Sequence, residues 1–540
     1  MQQLRIYRLA PANVSTASVI DTAARVFGIR DNYTLTDSAH RIGLQSGSLT
    51  VEMETASGAV WAADRSQLFN PTLRPTLGSD KEALALAKSL CDDRGLLPKL
   101  PDGIRWGEPL VAGTRLSTLT DGKQEDVRLD LQVVFPVEVS GFPVVGGGGD
   151  FTVVFGDKME PIGFHGGWRD VIEQFDANVI DPKEAEADFA KHCEAGSLKL
   201  ESVSSYVAYY AAPGSESQQF LAPVYVVGGY AVVGDQRVPL RTALFPATEF
   251  GPKVVWPEPQ TPRPSKARPP VIKRKEKAKG STRQGASGPQ TLMAGAALTA
   301  TKPWEAGASW IGMYGGLPGS KKNAQGFIDA WRADGWIIDF NWGDAAAFES
   351  DWRRNDDVWV DNADFVFYTG HANMNGWVLA SPDDGSLQFT EVGNAPDAPG
   401  DLWGQNDLEW VVIAACGPLQ DNVISPGGGS VLARWDGAFD GLHQLLGYGS
   451  VTNDNEVEGK LLAQYCREGQ TVISAWFRTA KEVQPSANGY SAPDGPTVWV
   501  GAMWASKAGA DPANDHAWSH GSVSADPVSP TTLSCMWTVC

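Results

Sequence analysis

Hydrophobic spacing changes character along this chain. Val19, Ala23, Val26 and Phe27 recur at helical spacing, and Leu84, Ala87, Leu90 and Cys91 do so again. Ser79, followed three residues later by Glu82, opens the second of these helices, and Gly95 can close it. Runs at 129–139, 151–157, 205–211, 222–233 and 238–245 read as short strands with turn signals between them. Up to about residue 251 the pattern is therefore α+β with antiparallel sheets. Later it switches. Continuous apolar runs at 308–316, 335–342, 363–370, 408–416 and 441–449 alternate with helical faces. Those faces are Ala324, Phe327, Ile328 and Trp331, then Val457, Leu461 and Tyr465, then Val472, Ile473, Trp476, Ala480 and Val483. Apolar strands separated by helices predict an α/β domain: a mostly parallel sheet with helices on both faces.

Between the two patterns lies a Pro/Lys-rich stretch, residues 252–290, whose low apolar content cannot build a core. It reads as an exposed, partly extended linker. The expected organisation is an α+β region over 1–180, a second small module over 181–251, the linker, and an α/β domain over 291–540. The chain of 540 residues carries 44 Lys and Arg against 64 Asp and Glu, a net charge of −20. Arg263 to Arg283 hold nine basic residues and one Glu, +8, so the remainder carries −28. An acidic body is a poor binder of nucleic acid or of anionic membrane. No apolar run is long enough to span a bilayer, and no leader peptide is evident, so a cytoplasmic location is expected. Six cysteines without a CxxC pair argue against a disulfide scaffold. Cys535 and Cys540 are expected in a mobile tail. The 20 tryptophans are expected in core and pocket walls.

Parallel strands carry their C-terminal ends to one edge, and sites of open α/β sheets form there. Two reactive side chains stand just past such ends. His371 follows DFVFYTG and Cys416 follows EWVVIAA. If these strands are neighbours, an imidazole and a thiol share one rim. A free thiol is only a few per cent ionised at pH 7, and an adjacent imidazole can take its proton and later give it to a leaving amine.

At these residues the chain resembles the caspase-like cysteine peptidases, the group that includes legumains, gingipains, separases and CHAT-domain proteases. The strings FVFYTGHAN and WVVIAACGP carry the resemblance. So do the hairpin-like NMNGWVLASPDDGSLQF after His371 and the strand, acidic loop and helix pair over 442–483. The likeness covers roughly residues 305–485. It implies Cys416 as nucleophile, His371 as general base and acid, and the backbone N–H groups of Ala372 and Cys416 as oxyanion donors. Alanine stands at 372 where that group has glycine, and at positive φ it would carry a strain cost. Residues 133–168, with their Gly146–Gly149 turn, loosely resemble the strand core of peptidase propeptide modules of the PepSY type. That resemblance implies a propeptide-like, inhibitory role for the α+β region over 1–180.

For specificity, Asp454, Glu456 and Asp344 are the candidate pocket carboxylates, with Glu349 and Asp351 as alternatives. Such a group would favour Lys or Arg before the cut, and the basic linker could supply such residues for self-processing. Asp515, His516 and His520 have metal-ligand spacing, but the surrounding Gly and Ser argue for a loop, so no metal is expected. Neither does the dyad need an organic cofactor. The expected activity is endopeptidase action on a peptide or protein. The same acyl-enzyme would serve transpeptidation or cyclisation, and a catalytically silent binding scaffold is the rival from another class.

Overall fold

The computed structural model describes residues 2–196, 198–263, 304–380, 384–393, 402–491 and 496–540. Two large sheets organise them, a 15-stranded one built from the first half and a nine-stranded one. In the first sheet the run at 129–139 becomes strand Leu131–Val139, antiparallel to Asp150–Phe155. Helices Thr16–Phe27 and Asp80–Arg94 cover one face, burying Val19, Ala23, Ala87 and Cys91 against Val133, Phe151 and Phe164. Ser79 caps the second helix through the Glu82 N–H, and Gly95 ends it at φ 59°. The glycine run at 146–149 is a packing device. A Cβ at Gly147 would stand 1.6 Å from the carbonyl oxygen of Glu482.

The nine-stranded sheet has the order Ile337–Gly343, Glu305–Trp310, Phe365–Thr369, Trp410–Ala414, Gln444–Tyr448, Trp499–Ser506, Thr532–Val539, Arg115–Thr120, Lys123–Arg128. The first five strands are mutually parallel, and every later pairing is antiparallel. The protein is thus mixed α/β with more sheet than helix. Two expectations need correction. The sheet is half parallel rather than mostly so, because a buried apolar run reads the same in either direction. Helices Ser320–Ala333, Glu458–Arg467 and Val472–Val483 pack on one face only. The other face is closed by loops, short 3-10 turns and the five-residue helix Val431–Trp435, around the fully buried Trp352, Trp377, Trp403 and Trp435.

The expected boundaries also shift. Residues 115–128, from the first half, form the far edge of the second sheet. The supposed tail is strand Thr532–Val539, with Cys535 and Cys540 buried. A charged seam joins the halves as well. Arg478 pairs with Glu52 at 2.7 Å, and Arg41 pairs with Glu54 at 2.7 Å and with Glu468 at 2.8 Å.

Of the linker, residues 252–263 form neither helix nor strand, and most are half-buried and docked rather than exposed. Trp256 stacks on His192 at 3.5 Å, and Gln260 donates to the Asn341 carbonyl. The Arg263 guanidinium lies over Trp342 and pairs with Asp351. The rest of the basic stretch lies outside the described residues. No helix among the described residues is long and apolar enough to cross a membrane.

Candidate active site at the strand ends

The apolar runs FVFYT and WVVIA pair in parallel, in register from Phe365↔Trp410 to Thr369↔Ala414. His371 and Cys416 each follow two residues later, so both reach the same rim. Both side chains are fully buried. Strand Glu305–Trp310 brings Gly315 to this rim, and Gln444–Tyr448 brings Thr452 to Asp454.

The imidazole is fixed on both sides. Its Nδ1 accepts the backbone N–H of Arg241 at 2.9 Å, so Nε2 carries the proton and donates to the Gly315 carbonyl at 2.7 Å. Gly315 must be small, because a Cβ there would stand 3.2 Å from Nε2. Burial, with Arg241 adding to it, pushes the ring's pKa from 6.5 down to about 4. Cys416 Sγ accepts from the Thr452 N–H at 3.4 Å, and burial pushes its thiol up. The resting pair is thus neutral imidazole and neutral thiol, with the ring's lone pair occupied by the first half of the chain.

No sequence motif marks that occupant. Strand Gln236–Pro246 carries Arg241 into the rim, where its side chain has no exposure at all. The guanidinium donates to Thr369 Oγ1 and the Ala414 carbonyl, both at 2.7 Å, to the Asn453 carbonyl at 3.1 Å, and to Glu458 Oε2 at 2.8 Å. Glu458 also accepts from Asn323, Tyr448 and Gln484. Burial opposes the Glu458 charge, yet Arg241, with the Tyr448 hydroxyl, holds its carboxyl below the usual range. The neighbouring Thr242 bridges to Asn453, donating to the Thr452 carbonyl at 3.0 Å and accepting from the Asp454 N–H at 2.7 Å. A lone arginine between Val238, Leu240 and Ala243 was the available signal, since a buried charge needs a buried partner.

The three candidate pocket carboxylates separate. Asp454 is buried at the rim, accepting from the Gly319 N–H at 2.6 Å and Ser320 Oγ at 3.0 Å. Burial raises its pKa to about 6, with Arg241 pulling the other way. Glu456 instead reaches solvent and pairs with Lys322. Asp344 holds a turn, accepting from the Gly312 and Tyr314 N–H groups. Of the alternatives, Glu349 pairs with Arg353 and Asp351 with Arg263. Ala372 lies beside His371 in a short strand pairing with Trp377, and its φ is not among the positive ones, so the alanine bears no strain. Gly417, directly after Cys416, does take a left-handed φ of 82°.

His516 and His520 do not form a ligand pair. The first faces the Ser522 carbonyl and the second pairs with Asp334. Among the described residues the one group of three or more His, Cys, Asp or Glu with ligand atoms within 4.8 Å of one another is Asp356, Asp357 and Asp361, and Asp361 accepts from the Gly404 and Asn406 N–H groups.

Residues 308–539 match the model of a family described as a domain of unknown function (DUF6345). That stretch holds His371, Cys416 and Glu458, whereas Arg241 lies outside it. A solved structure of an uncharacterized protein from Eubacterium rectale is similar over 46% of this chain and 85% of its own, with 12% sequence identity and a TM-score of 0.28. No curated protein matches the chain.

The depressed histidine couples folding to acidity. An unfolded chain takes up the His371 proton near pH 6.5, and the folded one only near 4. The stability this group contributes is therefore complete above pH 6.5 and is lost as the pH falls through 4. Between pH 7 and 4, a His371→Gln variant should lose less stability than the parent, by about 3 kcal/mol. Urea titrations at both pH values measure the difference, and parallel pH dependences would rule out a neutral buried ring.

Proposed function

We propose that the chain is a cysteine endopeptidase of caspase-like arrangement, in a resting, self-covered form. The single observation behind this reading is the in-register pairing that sets His371 and Cys416 on neighbouring strand ends. Its chemistry follows in steps. Once uncovered, Nδ1 of His371 takes the Cys416 proton, while the Gly315 carbonyl keeps the other ring nitrogen protonated. The thiolate adds to the peptide carbonyl, an S–C bond forms, and the C–N bond breaks as the amine takes the proton back. Water or an added amine then releases the acyl group, giving hydrolysis or transfer. In this reading the backbone N–H groups of Cys416 and Ala372 serve the oxyanion. No metal or organic group is needed for these steps.

A second reading has its own support. Cys416 is sealed from solvent and its thiol is pushed up, which also suits a silent scaffold that only binds partners. The two readings diverge once Arg241 is removed from the rim. In an Arg241→Gln chain, iodoacetamide at pH 7 should alkylate Cys416 at least tenfold faster than Cys91 or Cys466, and His371→Ala on that background should abolish the difference. Uniformly slow alkylation would favour the scaffold. Mass spectrometry of peptide products, with and without an added amine, separates hydrolysis from transfer.

A further inference from the structure

We infer that the rim contains an arginine-recognition pocket, and that Arg241 is its intramolecular occupant, a latch that keeps the site closed. The inference rests on the Cys416–His371 reading above and adds to it a substrate class and a means of control.

The pocket is built for a guanidinium. Its acceptors are the Thr369 hydroxyl, the carbonyls of Ala414 and Asn453, and the Glu458 carboxylate, with Asp454 adding negative charge from one side. Four acceptors spread around one planar group match its forked donors, which an ammonium could not satisfy together. The position matters equally. The guanidinium bonds to Ala414, two residues before Cys416, and the backbone of the same residue bonds to His371. Arg241 held this way links the end of the strand that leads to Cys416 with the imidazole. A peptide arginine entering the pocket would bring its own carbonyl to the same place.

The latch occupies the pocket without offering a bond to cut. Cleavage after an arginine releases the amine of the following residue, which must take a proton from the imidazole. Here the amide at Nδ1 belongs to Arg241 itself, and the Thr242 N–H is turned away to the Thr452 carbonyl. The wrong amide faces the ring, so the Arg241–Thr242 bond persists. Opening requires the hairpin formed by Phe220–Val233 and Gln236–Pro246 to lift from the rim.

The test uses two peptidyl acyloxymethyl ketone probes identical except for a terminal arginine or citrulline, which share a shape and differ in charge. They are applied to the full chain, to Arg241→Gln, and to Arg241→Gln with Glu458→Gln, and modification of Cys416 is read by intact mass and peptide mapping. The unaltered chain should react slowly. Arg241→Gln should react with the arginyl probe at least tenfold faster, and at least tenfold faster than with the citrulline probe. Adding Glu458→Gln should erase that preference. Equal rates for the two probes, with a Cys416 that iodoacetamide alkylates rapidly, would overturn the pocket and leave the dyad standing. Slow alkylation by every reagent would overturn the dyad instead. Equal arginyl-probe rates for the unaltered chain and Arg241→Gln would overturn the latch. The arginyl-to-citrulline ratio is also read on the unaltered chain at long incubation, so the outcome does not depend on how well the variants fold.

Discussion

Replacing Glu458 with alanine should lower the stability of the protein by about 3–5 kcal/mol, read from urea unfolding, because it strands a buried charge. Arg241 and Glu458 are both fully buried and paired at 2.8 Å. Removing the carboxylate leaves the guanidinium in a low-dielectric setting with neutral acceptors only, and it also orphans donors on Asn323, Tyr448 and Gln484. Helix propensity changes little, since alanine suits the first turn of Glu458–Arg467. The control lies two residues earlier. Glu456 and Lys322 form a pair about half exposed on each side, and Glu456→Ala should cost under about 1 kcal/mol. Similar losses from the two substitutions would mean that Arg241 finds water or another partner when Glu458 is gone.

Residues 304–540 expressed alone should fail to give a cooperative thermal transition, even though this piece contains both reactive side chains. Without Arg115–Thr120, strand Thr532–Val539 becomes an open edge with a full row of unpaired backbone groups. Leu116 and Leu129, which are buried in the same core as Trp310 and Trp476, are lost with it. The pocket around Glu458 would also be left without its guanidinium. Differential scanning calorimetry and one-dimensional proton spectra measure the outcome. A sharp transition near that of the full chain would mean that the first half is dispensable. A cut within 264–303 is accordingly expected to give a two-part molecule that stays together, held by the shared sheet and by the ion pairs Arg478–Glu52 and Arg41–Glu468.

Much of this arrangement was legible in the sequence. FVFYT and WVVIA are unbroken apolar runs ending in polar, reactive residues, and strand, turn and helix signals around them agreed with one another. The helix capped by Ser79 followed from its cap, its apolar face and the closing Gly95. What escaped was non-local. Nothing in RLSTLT marks it as a partner for TLSCMWTV, more than 400 positions away, because pairing choice is decided by shape and burial across the whole fold. Of the acidic candidates, Asp454 and Glu456 look alike in a string, and only the chain's path turns one inward and the other to solvent. Glu458 resembled an ordinary acidic residue at a helix start. Arg241 stood in plain view inside VPLRTALF, where a charge amid apolar neighbours called for a partner that no local pattern could name.

The interleaved sheet also sets a schedule for synthesis. Strand Arg115–Thr120 emerges from the ribosome early, yet its neighbour Thr532–Val539 is made 412 residues later. At bacterial or eukaryotic elongation speeds this is a wait of roughly 20–80 s. During that interval the early hairpin must be shielded by a chaperone or by transient contacts. Arg241 likewise waits for Glu458, made 217 residues later, so its guanidinium finds its buried partner only when most of the second half has been translated.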